Sequence, residues 1–152
     1  MPQAHKHRKR SADNLSSILL TDYREKSVPF PVSIQHAKNT NMVVQCEECG
    51  MWRIVYSKYK LTDNELEIIK SILDNYAYTC GSSMEDLNLC GRLSTVCIRI
   101  VCCYEPLEVH YYALGHEPLC IYCCSADNLT AKSGCFPLCS DCSSKPPVKK
   151  RT

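Results

Sequence analysis

Glycine, phenylalanine and tryptophan are scarce in this sequence, whose 152 residues contain five glycines, two phenylalanines and one tryptophan. No run approaches the roughly 18 apolar residues that a membrane-spanning helix needs, and no apolar segment follows the basic start as a secretory signal requires. A Gly-rich phosphate loop, an H-E-x-x-H motif and the zinc-deaminase motif are also missing. The length of 152 residues fits one domain or two very small ones, without a large catalytic core. The absence of a membrane run and of a secretory signal favours a soluble intracellular protein.

Cysteine, in contrast, is abundant, with 13 residues. Inside the cell thiols are kept reduced, and C-x2-C pairs there usually bind a metal rather than each other. Zinc binding is therefore the central hypothesis.

The charges are unevenly distributed. There are 18 Lys and Arg residues and 16 Asp and Glu residues, but eight of the basic ones lie near the two ends and all the acids lie between them. The basic end residues are Lys6, Arg8, Lys9 and Arg10, and Lys145, Lys149, Lys150 and Arg151. The first group suits a nuclear-import or nucleic-acid patch and equally a solvated terminus, and if nucleic acid binds, both ends are the expected contacts.

Local patterns predict a small, irregular α+β fold. Residues 43–45 and 52–56 resemble short strands on either side of a cysteine turn, and residues 96–102 and 108–112 are rich in strand-forming side chains. Thr62 and Glu65 have capping-box spacing before apolar residues at helical intervals, which predicts one amphipathic helix over about 63–76.

Four segments follow from these patterns. Residues 1–40 are expected to form a basic, mostly disordered arm, because they carry little apolar surface. Residues 41–95 form a first zinc module with a helical insert, and residues 96–143 form a β-rich, zinc-ribbon-like module. Residues 144–152 are expected to be a basic, disordered tail.

The clearest metal motif lies in the third segment. Two C-x2-C pairs separated by 15 residues match a common four-cysteine zinc pattern, and each pair offers two thiolates from one tight turn. Cys124 and Cys135 lie close enough in sequence to replace a neighbour. The predicted ligands are Cys120, Cys123, Cys139 and Cys142.

The first half has one C-x2-C pair, Cys46 and Cys49, followed by Cys80 and Cys90. Residues 44–53, VQCEECGMWR, together with Y-T-C at 78–80 and the cysteine at 90, resemble the CW-type zinc finger, whose pattern is W-V-Q-C-x2-C-x-K-W-R, then W-x-C and a last cysteine about ten residues on. The resemblance covers residues 43–92. It implies that Cys46, Cys49, Cys80 and Cys90 hold a zinc ion.

Members of that family bind a histone tail that carries a methylated lysine, using two tryptophans as a cage. Trp52 occupies one cage position and Val43 the other, where a ring face is needed for a cation–π contact. Tyr78 takes the place of the W-x-C tryptophan. The resemblance therefore implies Trp52 and Tyr78 as candidate ligand-binding residues.

Several possible ligands lie outside these two sets. They could build a third zinc site or serve as small buried hydrophobes and solvated side chains. They are Cys97, Cys102, Cys103, Cys124, Cys135, His110 and His116.

The function predicted from the sequence is a non-enzymatic module with two zinc ions, in the nucleus or the cytoplasm with the nucleus favoured, that binds a basic, histone-tail-like peptide or nucleic acid. Closed four-cysteine sites argue against catalysis, since a catalytic zinc keeps an open position. The alternative is a structural or assembly zinc protein, or a fragment of a larger, mobile-element-derived protein, without a ligand pocket.

Overall fold

The centre of the molecule is a three-stranded antiparallel sheet. The computed structural model describes residues 28–151, in which β1 (Met42–Gln45), β2 (Trp52–Tyr56) and β3 (Cys97–Ile98) lie in the order β1-β2-β3. In the described part of the chain, two α-helices, α1 and α2, and four short 3₁₀ helices accompany the sheet, which confirms the predicted small, irregular α+β fold. The helices are α1 (Ile34–Lys38), α2 (Asp63–Asp74), and the 3₁₀ segments Glu85–Leu87, Gly91–Thr95, Val109–Ala113 and Ser140–Cys142.

β1 and β2 form the hairpin that was predicted around the first cysteine pair. Met42 pairs with Val55 and Gln45 with Trp52, and the Cys46 N–H donates to the carbonyl of Met51 at 2.9 Å. Gly50 has a φ of +77°, a conformation that other residues adopt only with strain. The β-branched side chains of these strands suit a pleated surface. The local sequence pattern was therefore sufficient to predict the two strands.

α2 also agrees with its prediction. The Thr62 hydroxyl accepts from the Glu65 N–H at 3.2 Å, and the Glu65 carboxylate accepts from the Thr62 N–H at 2.9 Å. Ile69 and Leu73 are the buried residues of this helix. The predicted end at residue 76 is two residues late, because Asn75 caps the helix with its side-chain amide donating to the Ser71 carbonyl.

Two predicted strands differ from the structure. The strand expected over 96–102 is limited to Cys97–Ile98, since only those two residues pair with β2. The strand expected over 108–112 is wrong: Val109–Ala113 forms a 3₁₀ helix. The buried Glu108 carboxylate accepts from the Ile54 N–H at 3.0 Å, and this tertiary contact overrides the strand propensity of the residues that follow.

Part of the arm expected to be disordered is folded. Ser33 caps α1 by accepting from the His36 N–H, Ala37 is fully buried, and the Asn39 side chain donates to the Ser57 carbonyl at 2.9 Å. The expectation of a mostly disordered arm is thus wrong for residues 28–40, because α1 contacts β2 and Ala37 lies in the same core as Ile54 and Tyr56. Residues 1–27, with Lys6, Arg8, Lys9 and Arg10, lie outside the described residues.

The expected disordered tail is also paired with the body as far as it is described. The Phe136 N–H donates to the Val148 carbonyl at 2.9 Å, and the Lys150 N–H donates to the Gly134 carbonyl at 2.7 Å. The Tyr122 hydroxyl donates to the Pro146 carbonyl at 2.6 Å. The residues that bind the tail lie in turns earlier in the chain. The Pro- and Lys-rich composition of the tail therefore could not predict these hydrogen bonds.

The sheet separates two hydrophobic cores. Ile54 and Tyr56 belong to the first core, together with Phe136 and Leu138, whereas Val55 belongs to the second core with Ile69 of α2. This follows from the alternation of side chains along β2. The sheet therefore joins residues on both sides of the predicted boundary at 95/96. None of the helices between residues 28 and 151 has the length and hydrophobicity of a transmembrane segment.

Candidate metal centres

Two groups of four cysteines gather their sulfur atoms closely enough to hold one metal ion each, and in each group all four sulfurs lie within 4.8 Å of one another. We call them site 1 and site 2. Site 1 consists of Cys46, Cys49, Cys80 and Cys103, and site 2 of Cys120, Cys123, Cys139 and Cys142.

Site 1 has sulfur spacings suited to a tetrahedral ion. The Cys46 and Cys103 sulfurs are 3.9 Å apart, and those of Cys49 and Cys80 are 3.8 Å apart. Four sulfurs at about 2.3 Å from a central Zn²⁺ are separated by about 3.8 Å in a regular tetrahedron. The cysteines are thus placed as ligands are, without a disulfide between them.

The backbone of the β1–β2 turn prepares Cys46 for this role. Its sulfur accepts from the N–H groups of Glu48, Cys49 and Cys80 at 3.3 to 3.5 Å. Burial raises the pKa of the Cys46 thiol, but these donors outweigh it and lower the pKa to about 7. Cys46 therefore has substantial thiolate character near neutral pH, and the thiolate is the form that binds metal.

Arg53 supports site 1 from β2. This side chain is fully buried, and its Nε donates to the Cys80 sulfur at 3.3 Å. Burial raises the pKa of Cys80 to about 12, while the guanidinium counteracts the rise. The remaining nitrogens of Arg53 donate to the carbonyls of Cys102, Glu105 and Pro106 at 2.9 to 3.1 Å.

These contacts fix the chain on which the fourth ligand lies. Cys103 follows directly after Cys102, whose carbonyl is one of the Arg53 acceptors, and the Cys102 N–H donates to the Glu105 carboxylate. Arg53 thus holds a ligand thiol and the loop that brings in Cys103. It was not among the residues predicted from the sequence.

Cys103 occupies the position that the CW-type resemblance gave to Cys90. Cys90 is exposed and lies at the start of the 3₁₀ helix Gly91–Thr95, outside both sites. Cys103 lies 57 residues after Cys46 and belongs to no C-x2-C pair. The sequence offered it only as one of several unassigned cysteines, because no local spacing marks a ligand supplied by a distant loop.

Site 2 contains all four residues predicted for it. The Cys123 and Cys139 sulfurs are 3.5 Å apart, and each C-x2-C pair lies in a tight turn closed by the Cys124 N–H on Cys120 O and the Cys142 N–H on Cys139 O. Burial raises the pKa of Cys120, but backbone donors from Cys139, Cys123 and Tyr122 lower it to about 7. Sites 1 and 2 thus each have one cysteine prepared by backbone N–H groups.

The other candidate ligands do not form a third group in the described part of the chain. Cys97 is buried, and this burial raises its pKa to about 12. Cys124 is partly buried and accepts from the Trp52 N–H, and Cys135 is buried. His116 stacks on the ring of Tyr111.

His110 belongs instead to a polar cluster beside β2. The Tyr56 hydroxyl donates to Glu108 Oε2 at 2.8 Å and lies 3.0 Å from His110 Nδ1. Arg99 makes an ion pair with the same carboxylate at 3.2 Å. Burial lowers the pKa of His110, with Glu108 opposing the shift.

The candidate cage residues lie in different surroundings. Tyr78 is 1% exposed and belongs to the second core, so its ring is not available to a ligand. Trp52 is half-buried and packs against the first core. Together with Val43, which has no ring, these positions do not form an open aromatic cage.

Comparison with models of protein families, with curated proteins and with solved structures gave no match. The residues of this chain define a small α+β protein with two four-cysteine groups that could hold metal ions.

Proposed function

We propose that this protein is a non-enzymatic zinc-binding module in which two zinc ions hold together a surface for protein or nucleic-acid contacts. The observation that carries the proposal is the presence of two compact four-cysteine groups at ligand spacing. A structural zinc site of this kind contributes about 10–16 kcal/mol of binding free energy at neutral pH in model peptides. This is comparable with the stability of a whole domain.

The donor set favours zinc. Four thiolates in a tetrahedral arrangement suit Zn²⁺ or iron, and softness of the ligands disfavours magnesium and calcium. The N–H donors around Cys46 and Cys120 partly neutralise the negative charge that four thiolates leave around one Zn²⁺ ion, as outer-shell donors do in metal sites.

The same donor set supports a structural role. Four protein ligands fill the tetrahedral coordination of zinc and leave no position for a substrate or an activated water. We therefore propose that the protein acts by binding a partner and not by catalysing a reaction. All thirteen cysteines are free, which supports residence in a reducing compartment such as the nucleus.

Metal content measured by native mass spectrometry tests the proposal. The reduced full chain should carry two zinc ions, and a chelator should remove them together with the near-ultraviolet circular dichroism signal of folded aromatic residues. Elemental analysis by inductively coupled plasma mass spectrometry should find zinc and not iron. A protein without metal, or one that folds equally well after chelation, would contradict the proposal.

Single cysteine variants test the membership of each site with matched controls. Cys103→Ser should reduce the zinc content from two ions to one, whereas Cys90→Ser should leave two. Cys139→Ser should also remove one ion, and Cys135→Ala should retain both. If Cys90→Ser loses zinc and Cys103→Ser does not, the ligand set implied by the CW-type resemblance is right and the one described above is wrong.

A further inference from the structure

We propose that five basic residues around site 2 form a phosphate-binding face for nucleic acid, and this inference rests on the proposed zinc module, whose second site supports the face. All five are exposed, and Asp141 is the one acidic residue between positions 130 and 151. We call this set the basic face; it consists of Lys132, Lys145, Lys149, Lys150 and Arg151.

The basic face belongs to the folded body. The segment 148–150 runs antiparallel to 134–136, with a bridge between Cys135 and Lys149 and hydrogen bonds at Phe136 and Lys150. The Cys135 N–H donates to the Lys132 carbonyl at 2.9 Å, which brings the Lys132 turn beside this segment. Because the backbone is ordered beforehand, binding there costs less conformational entropy than binding to a loose tail.

Site 2 is directly connected to this arrangement. The Lys145 N–H donates to the carbonyl of the ligand Cys142 at 2.9 Å, and the Tyr122 hydroxyl, from the turn that contains Cys120 and Cys123, donates to the Pro146 carbonyl. A metal ion in site 2 would therefore hold the segment that presents the lysines.

Aromatic rings orient two of the lysines. Lys145 Nζ lies 5.1 Å from the centre of the Tyr122 ring, and Lys150 Nζ lies 5.7 Å from the centre of the Phe136 ring. Phe136 in turn stacks on Tyr112 at 4.7 Å. Such contacts attract an ammonium group to the ring face without using its hydrogen-bond donors. Both lysines can still bind an anion.

Between residues 28 and 151, no ion pair with an acid neutralises these charges. In the described part of the chain, the ion pairs are Arg92 with Glu65 and Arg99 with Glu108, and none involves the basic face. A zinc ion with four thiolates adds two negative charges at site 2, which leaves an excess of positive charge on this side. The face is thus complementary to a polyanion.

The arrangement favours nucleic acid as that polyanion. Lys149 forms the bridge with Cys135. If the extended backbone continues to Arg151, side chains 149 and 151 lie on the same side with Cα atoms about 6.8 Å apart, which places two positive charges in a row along the segment. Lysines act as point charges on phosphate without reading bases. We therefore expect binding that depends little on nucleotide sequence.

The first half of the protein should not attract nucleic acid. Its helix α2 carries four acidic residues and one basic residue, which are Asp63, Glu65, Glu67, Asp74 and Lys70.

Fluorescence anisotropy with the zinc-loaded full chain tests this inference. The probes are a labelled 20-nucleotide single-stranded RNA and a 20-base-pair DNA duplex of mixed sequence. Neutralising five phosphates should give a slope of log Kobs against log salt of about −3 to −5, with the shallower slope for single strands. Binding that does not weaken with salt would overturn the inference.

Two quadruple variants with the same change in charge provide the decisive comparison. Replacing four lysines of the basic face by glutamine should weaken binding at least tenfold, whereas replacing four exposed lysines of the first half should change it less than twofold. The basic-face variant carries Lys132→Gln, Lys145→Gln, Lys149→Gln and Lys150→Gln, and the control carries Lys38→Gln, Lys58→Gln, Lys60→Gln and Lys70→Gln.

Competitors and metal content separate the possible failures. An acidic peptide should compete poorly with the RNA probe, and a basic, histone-like peptide should not compete at all. If both variants bind equally well, or if the acidic peptide competes as strongly as nucleic acid, the basic face is not a nucleic-acid site. Native mass spectrometry of both variants should still show two zinc ions. Loss of binding in a variant that keeps both ions supports the basic face, whereas loss of zinc from the variants would contradict the proposed zinc module.

Discussion

At the residue scale, Arg53 links a ligand of site 1 to the loop that carries another ligand of that site. One buried guanidinium donates to a site 1 sulfur and to three carbonyls of the loop over 102–106. Burial opposes the charge of Arg53, but Cys80 outweighs it and raises the Arg53 pKa above its ordinary value, so the side chain stays cationic. The planar fork of arginine suits several acceptors at once, which a lysine ammonium does not.

Replacing Arg53 should therefore be costly. Arg53→Met removes the cation and leaves buried acceptors unpaired, and we expect a loss of about 3–5 kcal/mol in the free energy of unfolding. Urea unfolding of the metal-loaded protein measures this loss. Arg92→Met, which removes an exposed ion pair with Glu65, should cost less than about 1 kcal/mol, and equal losses for the two variants would contradict the role given to Arg53.

His110 gives a pH dependence whose direction can be derived. Burial lowers its pKa in the folded protein below the ordinary value of 6.5, so the unfolded chain takes up a proton first as the pH falls. The stability that follows from this difference is present above about pH 6.5 and is lost as the pH falls through the folded pKa. His110→Gln should thus flatten the loss of stability between about pH 7 and pH 5.

The measurement is thermal unfolding of wild type and His110→Gln across this range. Both proteins keep the same cysteines, so protonation of the thiolates affects them equally and the difference reports His110. A steeper loss of stability in the variant than in wild type would show that the sign is wrong.

At the scale of elements, the local signals were reliable where the determining contacts are local. The capping box of α2 and the hairpin of β1 and β2 were predicted from residues a few positions apart. The 3₁₀ helix Val109–Ala113 was not, because Glu108 is held by β2 more than 50 residues away in sequence. α1 was missed for the same reason, since Asn39 finds its carbonyl partners on residues 57 and 58.

The ligands of the candidate sites were likewise predicted where they are close in sequence and missed where they are distant. The C-x2-C pairs were identified because one turn brings both thiols together. Cys103 and Arg53 were not identified as parts of site 1, because folding of the whole sheet decides their position.

Thr62 allows a test at the scale of one element. Thr62→Ala removes the hydroxyl that caps α2, and we expect a loss of about 1 kcal/mol in the free energy of unfolding. Thr62→Ser keeps the hydroxyl and should lose much less. Chemical denaturation of the three proteins decides the matter, and equal stability of the Ala and Ser variants would show that the capping hydroxyl contributes nothing.

At the scale of the whole molecule, β2 connects the two cores and hence the two sites. The first core contains Cys120, Cys139 and Cys142 of site 2, and the second contains Cys46, Cys80 and Cys103 of site 1. Because both cores pack on this one strand, we expect the two halves to be coupled. Whether each candidate metal site stabilises its own half alone can therefore be tested on β2.

We expect that disrupting site 2 loosens the sheet as well. In Cys139→Ser, the amides of β2 should exchange hydrogen at least an order of magnitude faster than in wild type, because Ile54 and Tyr56 lose the packing of the first core. Hydrogen exchange followed by mass spectrometry measures this, with Cys90→Ser as the control. Unchanged protection of β2 would mean that the two halves are independent.

The position of Cys103 has a consequence for synthesis of the protein. Because synthesis runs from the N-terminus, Cys46, Cys49 and Cys80 leave the ribosome before Cys103 does. The emerging polypeptide therefore presents three thiols of site 1 before the loop that completes the site. During that interval the thiols are exposed to oxidation and to exchange of a loosely held ion. We therefore expect that a site 1 ion is held by all four ligands only after Cys103 has emerged, so that slow synthesis of the segment between Cys80 and Cys103 lengthens this exposure.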